Sequence, residues 1–198
     1  METSSFFALL SRMRYIERWG LMRSSIPENL QEHSHMVAVF AHALGLIRRE
    51  IFGLPCDAEA LAAAALYHDA SEILTGDLPT PIKYHNADIH AAYKKVETIA
   101  AESLVTMIPV ELQDAYKRFF YSEVEKDWKP LMRAADKLSA YVKCIEERKA
   151  GNNEFLSAEA QIRAALEAME LKELDWFMAH CLPAFELDLD GLGASTFS

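Results

Sequence analysis

Residues 61–83, LAAAALYHDASEILTGDLPTPIK, contain the pattern that decides the fold. The stretch opens with seven residues that are apolar except for one tyrosine hydroxyl, and this pattern predicts a buried helix. We expect the helix to continue through His68, Asp69 and Glu72 and to stop at Gly76. Because charged side chains are costly to bury without a partner or a metal, the stretch predicts a functional site on a buried helix.

The three polar side chains of this predicted helix should lie on one side. His68 and Glu72 are four residues apart and Asp69 and Glu72 three, spacings that place side chains on the same helix face. The next residues, 77–81 (DLPTP), are predicted to form a loop that two prolines stiffen. Any one of these polar residues is compatible with a hydrogen-bonded core group. Three of them beside an acidic loop favour a site.

Composition limits the class of protein. The chain has 198 residues, 51% of them hydrophobic and 25% charged, which is typical of one globular domain. The formal net charge of −10 argues against nucleic acid or an anionic membrane as a partner. We find no apolar run of 18 residues and no signal-peptide pattern at the N-terminus, so we expect no membrane partner and a cytoplasmic location.

The cysteines fit the same interpretation. Cys56, Cys144 and Cys181 are far apart, odd in number and form no CxxC motif. We therefore expect three reduced structural cysteines, as in a cytosolic protein.

The rest of the chain predicts an all-α fold. Helix formers predominate, glycine and proline number seven each, and no alternating β-branched run is long enough for a sheet. No linker divides the chain, so residues 6–187 are predicted to form one domain, and the acidic, Gly/Ser-rich residues 188–198 a flexible tail. Further helices are predicted over residues 5–16, 30–51, 88–107, 109–121, 130–149, 153–169 and 172–181.

Several candidate residues stay ambiguous when each is considered alone. Arg18 is compatible with a surface charge, Trp19 with the core, and His33 with an ordinary hydrogen-bonded histidine. Asp136 points away from the main apolar stripe of its helix, towards Ser139 and other small residues. This position allows either a solvated acid or a second buried helix face.

A metal site would combine these residues. His68 and Asp69 are too few ligands for a divalent ion, and His33 and Asp136 are candidates on two other helices. A set of two histidines and two aspartates suits manganese, cobalt, iron(II) or zinc. No thiolate is placed to help, so a cysteine-type structural zinc site is not expected.

The same residues carry a resemblance. His33, the adjacent His68-Asp69 pair and Asp136 follow the H…HD…D pattern of the HD-domain phosphohydrolase superfamily. Longer strings are more specific, and from about residue 6 to 187 the chain resembles bacterial 5′-deoxynucleotidases of the YfbR type. Those strings are RW at 18–19, EHS at 32–34, YHDASEILTGDLPTP at 67–81, AD at 135–136 and GNNEF at 151–155.

The resemblance implies a single HD-domain helical bundle with a metal site between helices, assembled as a homodimer. It implies a phosphomonoesterase that removes the 5′-phosphate from deoxyribonucleoside monophosphates and largely spares ribonucleotides. One divalent metal ion, with cobalt and manganese as activating ions, would be held by His33, His68, Asp69 and Asp136. The implied substrate-binding residues are Arg18, Trp19, His33, Asp69, Asp77, Leu78, Pro79, Thr80 and Asp136.

Each residue type suits a role in that reaction. We expect Glu72 to orient or deprotonate the attacking water and Asp77 to protonate the leaving 5′-oxygen. Arg18 would orient the phosphate through a bidentate contact. Trp19 would present an apolar wall to the sugar, and a site that reads phosphate and sugar predicts broad base specificity.

Two other functions are compatible with the sequence. One is a different HD enzyme, such as a phosphodiesterase or a nucleoside triphosphate hydrolase, although only Arg18, Arg23 and Lys83 supply positive charge near the motifs. The other is a catalytically silent helical dimer that senses nucleotides. The intact set of ligands and acids argues against the silent protein.

Overall fold

The chain is predominantly α-helical in the residues that this computed structural model describes, 3–83, 85–120 and 128–193. Within these ranges, β-structure is limited to an isolated antiparallel bridge between Glu17 and Asn29, so the all-α prediction is confirmed. The helices are α1 (Phe6–Leu10), α2 (Leu30–Leu46), α3 (Ala58–Ala65), α4 (Glu72–Thr75), α5 (Thr80–Lys83), α6 (Ala87–Thr106), α7 (Val110–Phe120), α8 (Lys129–Lys149), α9 (Leu156–Glu167) and α10 (Lys172–His180). Short 3-10 helices cover Ser11–Tyr15, Asn153–Phe155 and Leu182–Glu186, and Ile47–Ile51 is a π-helical turn.

Helix α2 begins at a strong sequence signal. The Asn29 side chain accepts the backbone N–H groups of Gln31 and Glu32, and Glu32 accepts the N–H of Asn29 in return. This capping box satisfies donors that the first turn would otherwise leave open. With the π-helical turn Ile47–Ile51 after it, the helix covers the predicted residues 30–51.

Helix α8 is buried on two sides. Leu131, Leu138 and Ile145 lie on the predicted apolar stripe and are buried, and α8 packs mainly against α2 and α9. Ser139 and Lys143, on another side of the helix, are also buried. The alternative of a second buried face is therefore confirmed, and this face looks towards the N-terminal part of α2.

The predicted continuous helix from residue 61 to Gly76 is wrong. Helix α3 ends at Ala65, and α4 starts only at Glu72. His68 Nδ1 lies 2.7 Å from the carbonyl oxygen of Ala65, which a continuous helix would offer to the N–H of Asp69. Residues 66–71 instead form tight turns, and the stop at Gly76 is confirmed by its φ of +75°.

Two further expectations need correction. The loop predicted over 77–81 ends early, because α5 begins at Thr80. The apolar residues of the helix predicted over 88–107 would place Ile89, Val96 and Ile99 on its inner face, but these side chains are 36%, 48% and 61% exposed. Among the described residues, α6 contacts the body mainly through its C-terminal half, where Leu104 packs with Phe6 and Ile108.

Residues 188–193 form exposed turns, and residues 194–198 lie outside the described chain, so the flexible tail stays a prediction. In the part described, no helix combines the length and apolar character that crossing a bilayer requires. The three cysteines all lie within the described ranges and none forms a disulfide, as expected.

Candidate active site

His33 lies on the inner side of α2 and is completely buried. Its Nδ1 is 3.0 Å from Ser139 Oγ on α8. This contact orients the ring, so Nε2 points at two carboxylates, 3.2 Å from Asp136 Oδ1 and 3.5 Å from Asp69 Oδ2. Ser139 therefore uses one ring nitrogen and leaves the other available to a ligand.

His68 and Asp69 reach the same point from the turn between α3 and α4. Since His68 Nδ1 is held by the Ala65 carbonyl, Nε2 faces inward and lies 3.1 Å from Asp69 Oδ2. Burial opposes protonation of His68, but the Asp69 carboxylate outweighs it and raises the pKa of His68 to about 9. Burial acts in the opposite direction on Asp69 and would raise its pKa, but His68, His33 and Arg18 hold that pKa well below its usual range.

Asp136 completes the cluster from α8. One ligand atom each from His33, His68 and Asp136 can be chosen so that all lie within 4.8 Å of one another. The Asp136 side chain is 47% exposed, so it borders the opening of the site. Asp136 is therefore a member of the cluster and keeps contact with solvent on one side.

This donor set fits a divalent metal ion. The Nε2 atoms of His33 and His68 are buried, and neither forms a hydrogen bond of good geometry. Buried polar atoms without partners are rare, and here both point at carboxylates. Nitrogen and carboxylate donors in this arrangement suit a transition metal such as zinc, manganese or cobalt.

Two acids with raised proton affinity lie beside the cluster. Glu72 opens α4 and is only 4% exposed, and its Oε2 has no hydrogen-bond partner. Burial, together with repulsion from Asp69 and Asp77, raises the pKa of Glu72 to about 8. Burial also raises the pKa of Asp77. Lys83 Nζ lies 3.7 Å from Glu72 Oε1 and 2.7 Å from Glu97 Oε1.

The loop after Gly76 borders these acids. Asp77, Leu78 and Pro79 are partly exposed, and the carbonyl of Pro79 accepts the N–H groups of Ile82 and Lys83. Thr80 begins α5, and its side chain lies outside the described part of the structure. The loop therefore presents partly open side chains next to Glu72 and Asp69.

Arg18 and Trp19 approach from the segment before α2. Arg18 Nη1 lies 3.7 Å from Asp69 Oδ2, and its side chain is only 14% exposed. Burial opposes its charge, but Asp69 and Glu28 keep the pKa of Arg18 above its ordinary value. Trp19 is partly exposed and its ring centroid lies 5.2 Å from that of the buried Phe155. Arg18 is therefore a nearly buried cation at the cluster, and Trp19 is less buried than a core residue.

The comparison with protein families agrees with this geometry. Residues 5–185 match the family model described as 5′-deoxynucleotidase YfbR-like. The chain belongs to this family. The resemblance found in the motifs is thereby confirmed.

Curated relatives support the YfbR-like assignment, and solved structures share the fold. The chain is 50% identical to 5′-deoxynucleotidase YfbR of Shigella boydii and of Escherichia coli O1:K1, over 96% of each chain. An HD-domain phosphohydrolase from Listeria innocua superposes with a TM-score of 0.80 at 24% identity, over 96% of this chain and 92% of that one. Another HD phosphohydrolase, from cyanophage S-2L and bound to dA and one catalytic zinc ion, gives 0.63 at 20% identity, over 94% and 97%. These two structures confirm the HD-domain fold.

Sequence reasoning missed some of the residues that build this YfbR-like site. Glu28 contacts both Arg18 and Trp19, but it lies ten residues from Arg18 and no spacing rule connects them. Ser139 had a weak signal, since it was recognised as a small neighbour of Asp136. The buried pair Lys143 and Glu147 had none, because at four residues apart they resemble an ordinary surface ion pair.

Proposed function

We propose that this nucleotide phosphohydrolase is a metal-dependent phosphomonoesterase. It removes the 5′-phosphate from deoxyribonucleoside monophosphates, discriminates against ribonucleotides and accepts several bases. The observation that carries this proposal is the cluster of His33, His68 and Asp136, which could hold a metal ion, with a nearly buried arginine 3.7 Å from the adjacent Asp69 carboxylate. A phosphate needs a cation on each side, and this site offers positions for two.

The metal ligands proposed are His33, His68, Asp69 and Asp136, which would hold one divalent ion, with cobalt or manganese as the activating metal. When bound, the ion supplies Lewis-acid polarisation of a phosphoryl oxygen and lowers the pKa of a bound water towards about 7. Ser139 and the Ala65 carbonyl keep the two imidazole rings oriented for that ligand set.

Proton transfer is assigned to the two acids. The pKa of Glu72 is about 8 in the metal-free site, and a nearby cation would lower it. Glu72 would then be ionised at neutral pH and could take a proton from the attacking water. Asp77, whose pKa is also raised, is proposed to protonate the leaving 5′-oxygen. The two carboxylates repel each other when both are ionised, so at least one of them binds a proton more readily than a solvated acid does.

Substrate selection is assigned to the other side of the site. Arg18 orients the phosphate, and Trp19 presents an apolar wall to C2′ of the sugar. A 2′-hydroxyl against that wall would lose hydration worth about 1–3 kcal/mol, or about 10–100-fold in kcat/KM. Asp77, Leu78, Pro79 and Thr80 are proposed to line the nucleotide pocket, and broad base specificity is expected.

The test is phosphate release from dAMP and AMP, measured side by side. The enzyme is stripped with EDTA, and cobalt, manganese, magnesium or zinc is added back. We expect metal-restored hydrolysis of dAMP that exceeds hydrolysis of AMP by about 10-fold or more. Equal rates on the two substrates would remove sugar selection from the proposal, and no release with any metal would remove the phosphatase.

A triphosphate hydrolase is less compatible with the charges at the site. Of the three cations near the motifs, Arg23 is 88% exposed and 3.9 Å from Glu154. Lys83 is engaged by Glu97 and Glu72. Arg18 is left as the cation of these three that faces the cluster. We expect rates to fall from dAMP to dADP to dATP, and a preference for dATP would favour the other HD enzyme.

A nucleotide-sensing protein without activity is the alternative from another class. The raised pKa of Glu72, about 8, argues against it, because proton exchange near neutral pH serves catalysis and is not needed for binding. Tight binding of dAMP with metal present and no phosphate release would favour the sensor.

We also propose a cytoplasmic homodimer, on the resemblance to the family. Ile89, Val96 and Ile99 leave an exposed apolar stripe along α6 that a second copy of the chain would cover. Light scattering coupled to size-exclusion chromatography should give twice the mass of 22.3 kDa. An Ile99→Asp variant should shift the mass towards that of one chain.

A further inference from the structure

Glu28 lies where the phosphate-facing and sugar-facing residues meet. Its Oε2 atom accepts two hydrogen bonds, from Arg18 Nε at 3.2 Å and from Trp19 Nε1 at 2.8 Å. The carboxylate is only 13% exposed. One oxygen atom therefore fixes the positions of two neighbouring side chains that have different tasks.

The backbone reinforces the same connection. The carbonyl of Glu28 accepts the N–H of Arg18 at 2.9 Å, within the bridge that joins Glu17 to Asn29. Asn29 caps α2, and its carbonyl accepts the N–H of His33 at 3.1 Å. Glu28 thus ties Arg18 and Trp19 to the first turn of the helix that carries His33.

The hydrogen bond to Glu28 matters for Trp19 because of its backbone conformation. Its φ is +61°, a left-handed conformation that is unfavourable for a residue with a bulky side chain. The indole is held at one edge by Glu28, while its ring lies 5.2 Å from the Phe155 ring. Without the carboxylate, the ring would lose the directional contact that sets its angle to the site.

Arg18 gains a fixed orientation from the same oxygen. Glu28 occupies Nε, and the terminal nitrogen Nη1 lies at the cluster, 3.7 Å from Asp69 Oδ2. A guanidinium reads phosphate through two parallel N–H groups, so its rotation about the long axis matters.

We propose that Glu28 is a positioning residue that couples phosphate binding to sugar selection by holding Arg18 and Trp19 with one carboxylate oxygen. This inference rests on the proposed function. Its consequence is that the loss of Glu28 weakens the reaction on deoxyribonucleotides and, in the same variant, weakens discrimination against ribonucleotides.

The experiment compares Glu28→Ala and Glu28→Gln with Glu17→Gln. Glu17 lies in the same bridge and is exposed, so its substitution removes the same charge from the same segment. Values of kcat and KM are measured for dAMP and AMP with saturating metal, and folding is checked by thermal melting.

We expect Glu28→Ala to lower kcat/KM on dAMP by about 10-fold or more, mainly through KM, because two charge-assisted bonds are lost. The ratio of kcat/KM on dAMP to kcat/KM on AMP should fall in the same variant, with a smaller fall in Glu28→Gln and no change in Glu17→Gln. If Glu28 had a purely structural role, its loss would lower kcat/KM equally on both substrates. A dAMP-to-AMP ratio in Glu28→Ala within about twofold of wild type would overturn the proposal.

A second variant tests the indole contact independently. Trp19→Phe keeps an aromatic ring but removes the N–H that Glu28 accepts, so the ratio should fall without loss of folding. In the Trp19→Phe background, Glu28→Ala should change the ratio less than it does alone. An unchanged ratio in Trp19→Phe contradicts the inference even if the Glu28 variants do not fold. Wild-type enzyme without activity on dAMP would instead reject the proposed function, and the inference with it.

Discussion

The substitution Glu147→Gln tests how α8 holds the segment that carries Trp19 and Glu28. Glu147 is on the second buried face of α8 and has no solvent exposure. Its carboxylate accepts the backbone N–H groups of Ser25 at 2.8 Å and Ile26 at 3.0 Å. Lys143 Nζ, at 2.5 Å, and Asn152 Nδ2, at 2.8 Å, complete its shell. Glu147 therefore fastens to α8 the segment that connects Trp19 with Glu28.

The size of the effect follows from the proton affinity of this carboxyl group. Burial would raise the pKa of Glu147, but Lys143, Asn152 and the two amides lower it from 4.5 to about 2. At 1.36 kcal/mol for each pKa unit, the charged form contributes about 3 kcal/mol to the free energy of unfolding. Breaking a buried ion pair from one side costs about 3–5 kcal/mol, a similar value.

Thermal unfolding followed by circular dichroism measures the loss. For a chain of this length, about 3 kcal/mol corresponds to a fall in Tm of about 6–12 °C at pH 7. The matched control is Glu146→Gln, because Glu146 is the exposed neighbour on the same helix turn. The double variant Lys143→Met with Glu147→Leu should lose less than the sum of its two single changes, since it leaves no unpaired charge.

The dependence on pH gives a second readout. A carboxyl group whose pKa is depressed stabilises the fold above its ordinary value of 4.5, and that stabilisation is lost as pH falls through about 2. The difference between wild type and Glu147→Gln should therefore shrink from about 3 kcal/mol at pH 7 to about 1 kcal/mol at pH 3. A Glu147→Gln protein that melts within about 2 °C of the Glu146→Gln control would refute the reasoning.

The other predictions concern turnover, metal binding, sugar selection and the turn at Gly76. Glu72→Ala should lower turnover at least 100-fold while metal content, measured by elemental analysis, stays near one equivalent, because Glu72 lies beside the ligands and is not one of them. His33→Ala should lose both metal and turnover, and full metal content in it would remove His33 from the ligand set. Trp19→Ala should raise the AMP-to-dAMP rate ratio by about 10-fold, and an unchanged ratio would assign sugar selection elsewhere. Gly76→Ala should destabilise the fold by about 1 kcal/mol in a denaturant titration, because φ there is +75°.

Helix boundaries were the part of the fold that local sequence predicted well. Asn29 and Asp57 both cap helices, and Asp57 accepts the N–H of Ala60 at 2.9 Å. Pro130 lies in the first turn of α8, where a missing N–H costs nothing. These signals act between residues that are at most four apart, so the sequence contains the whole interaction.

The break after α3 shows where local reasoning failed. An alanine-rich run predicts an uninterrupted helix. Helix propensity does not include the hydrogen bond between the His68 ring and the Ala65 carbonyl, which competes with the helix backbone. The exposure of Ile89, Val96 and Ile99 on α6 was also unpredictable, because an apolar pattern does not indicate how much of a helix other helices cover.

The sequence by itself determined the all-α class, most helix boundaries, the four candidate metal ligands and the family to which the chain belongs. Periodicity, caps and motif spacing are properties of short stretches, and they survive without the fold. Only the tertiary structure decided that Asp136 joins His33 and His68, that Glu28 holds Arg18 and Trp19, and that Lys143 and Glu147 are buried together. Those contacts join residues that are far apart along the chain, or lie on a helix face whose burial depends on its neighbours, so their energies depend on desolvation that no single segment can provide.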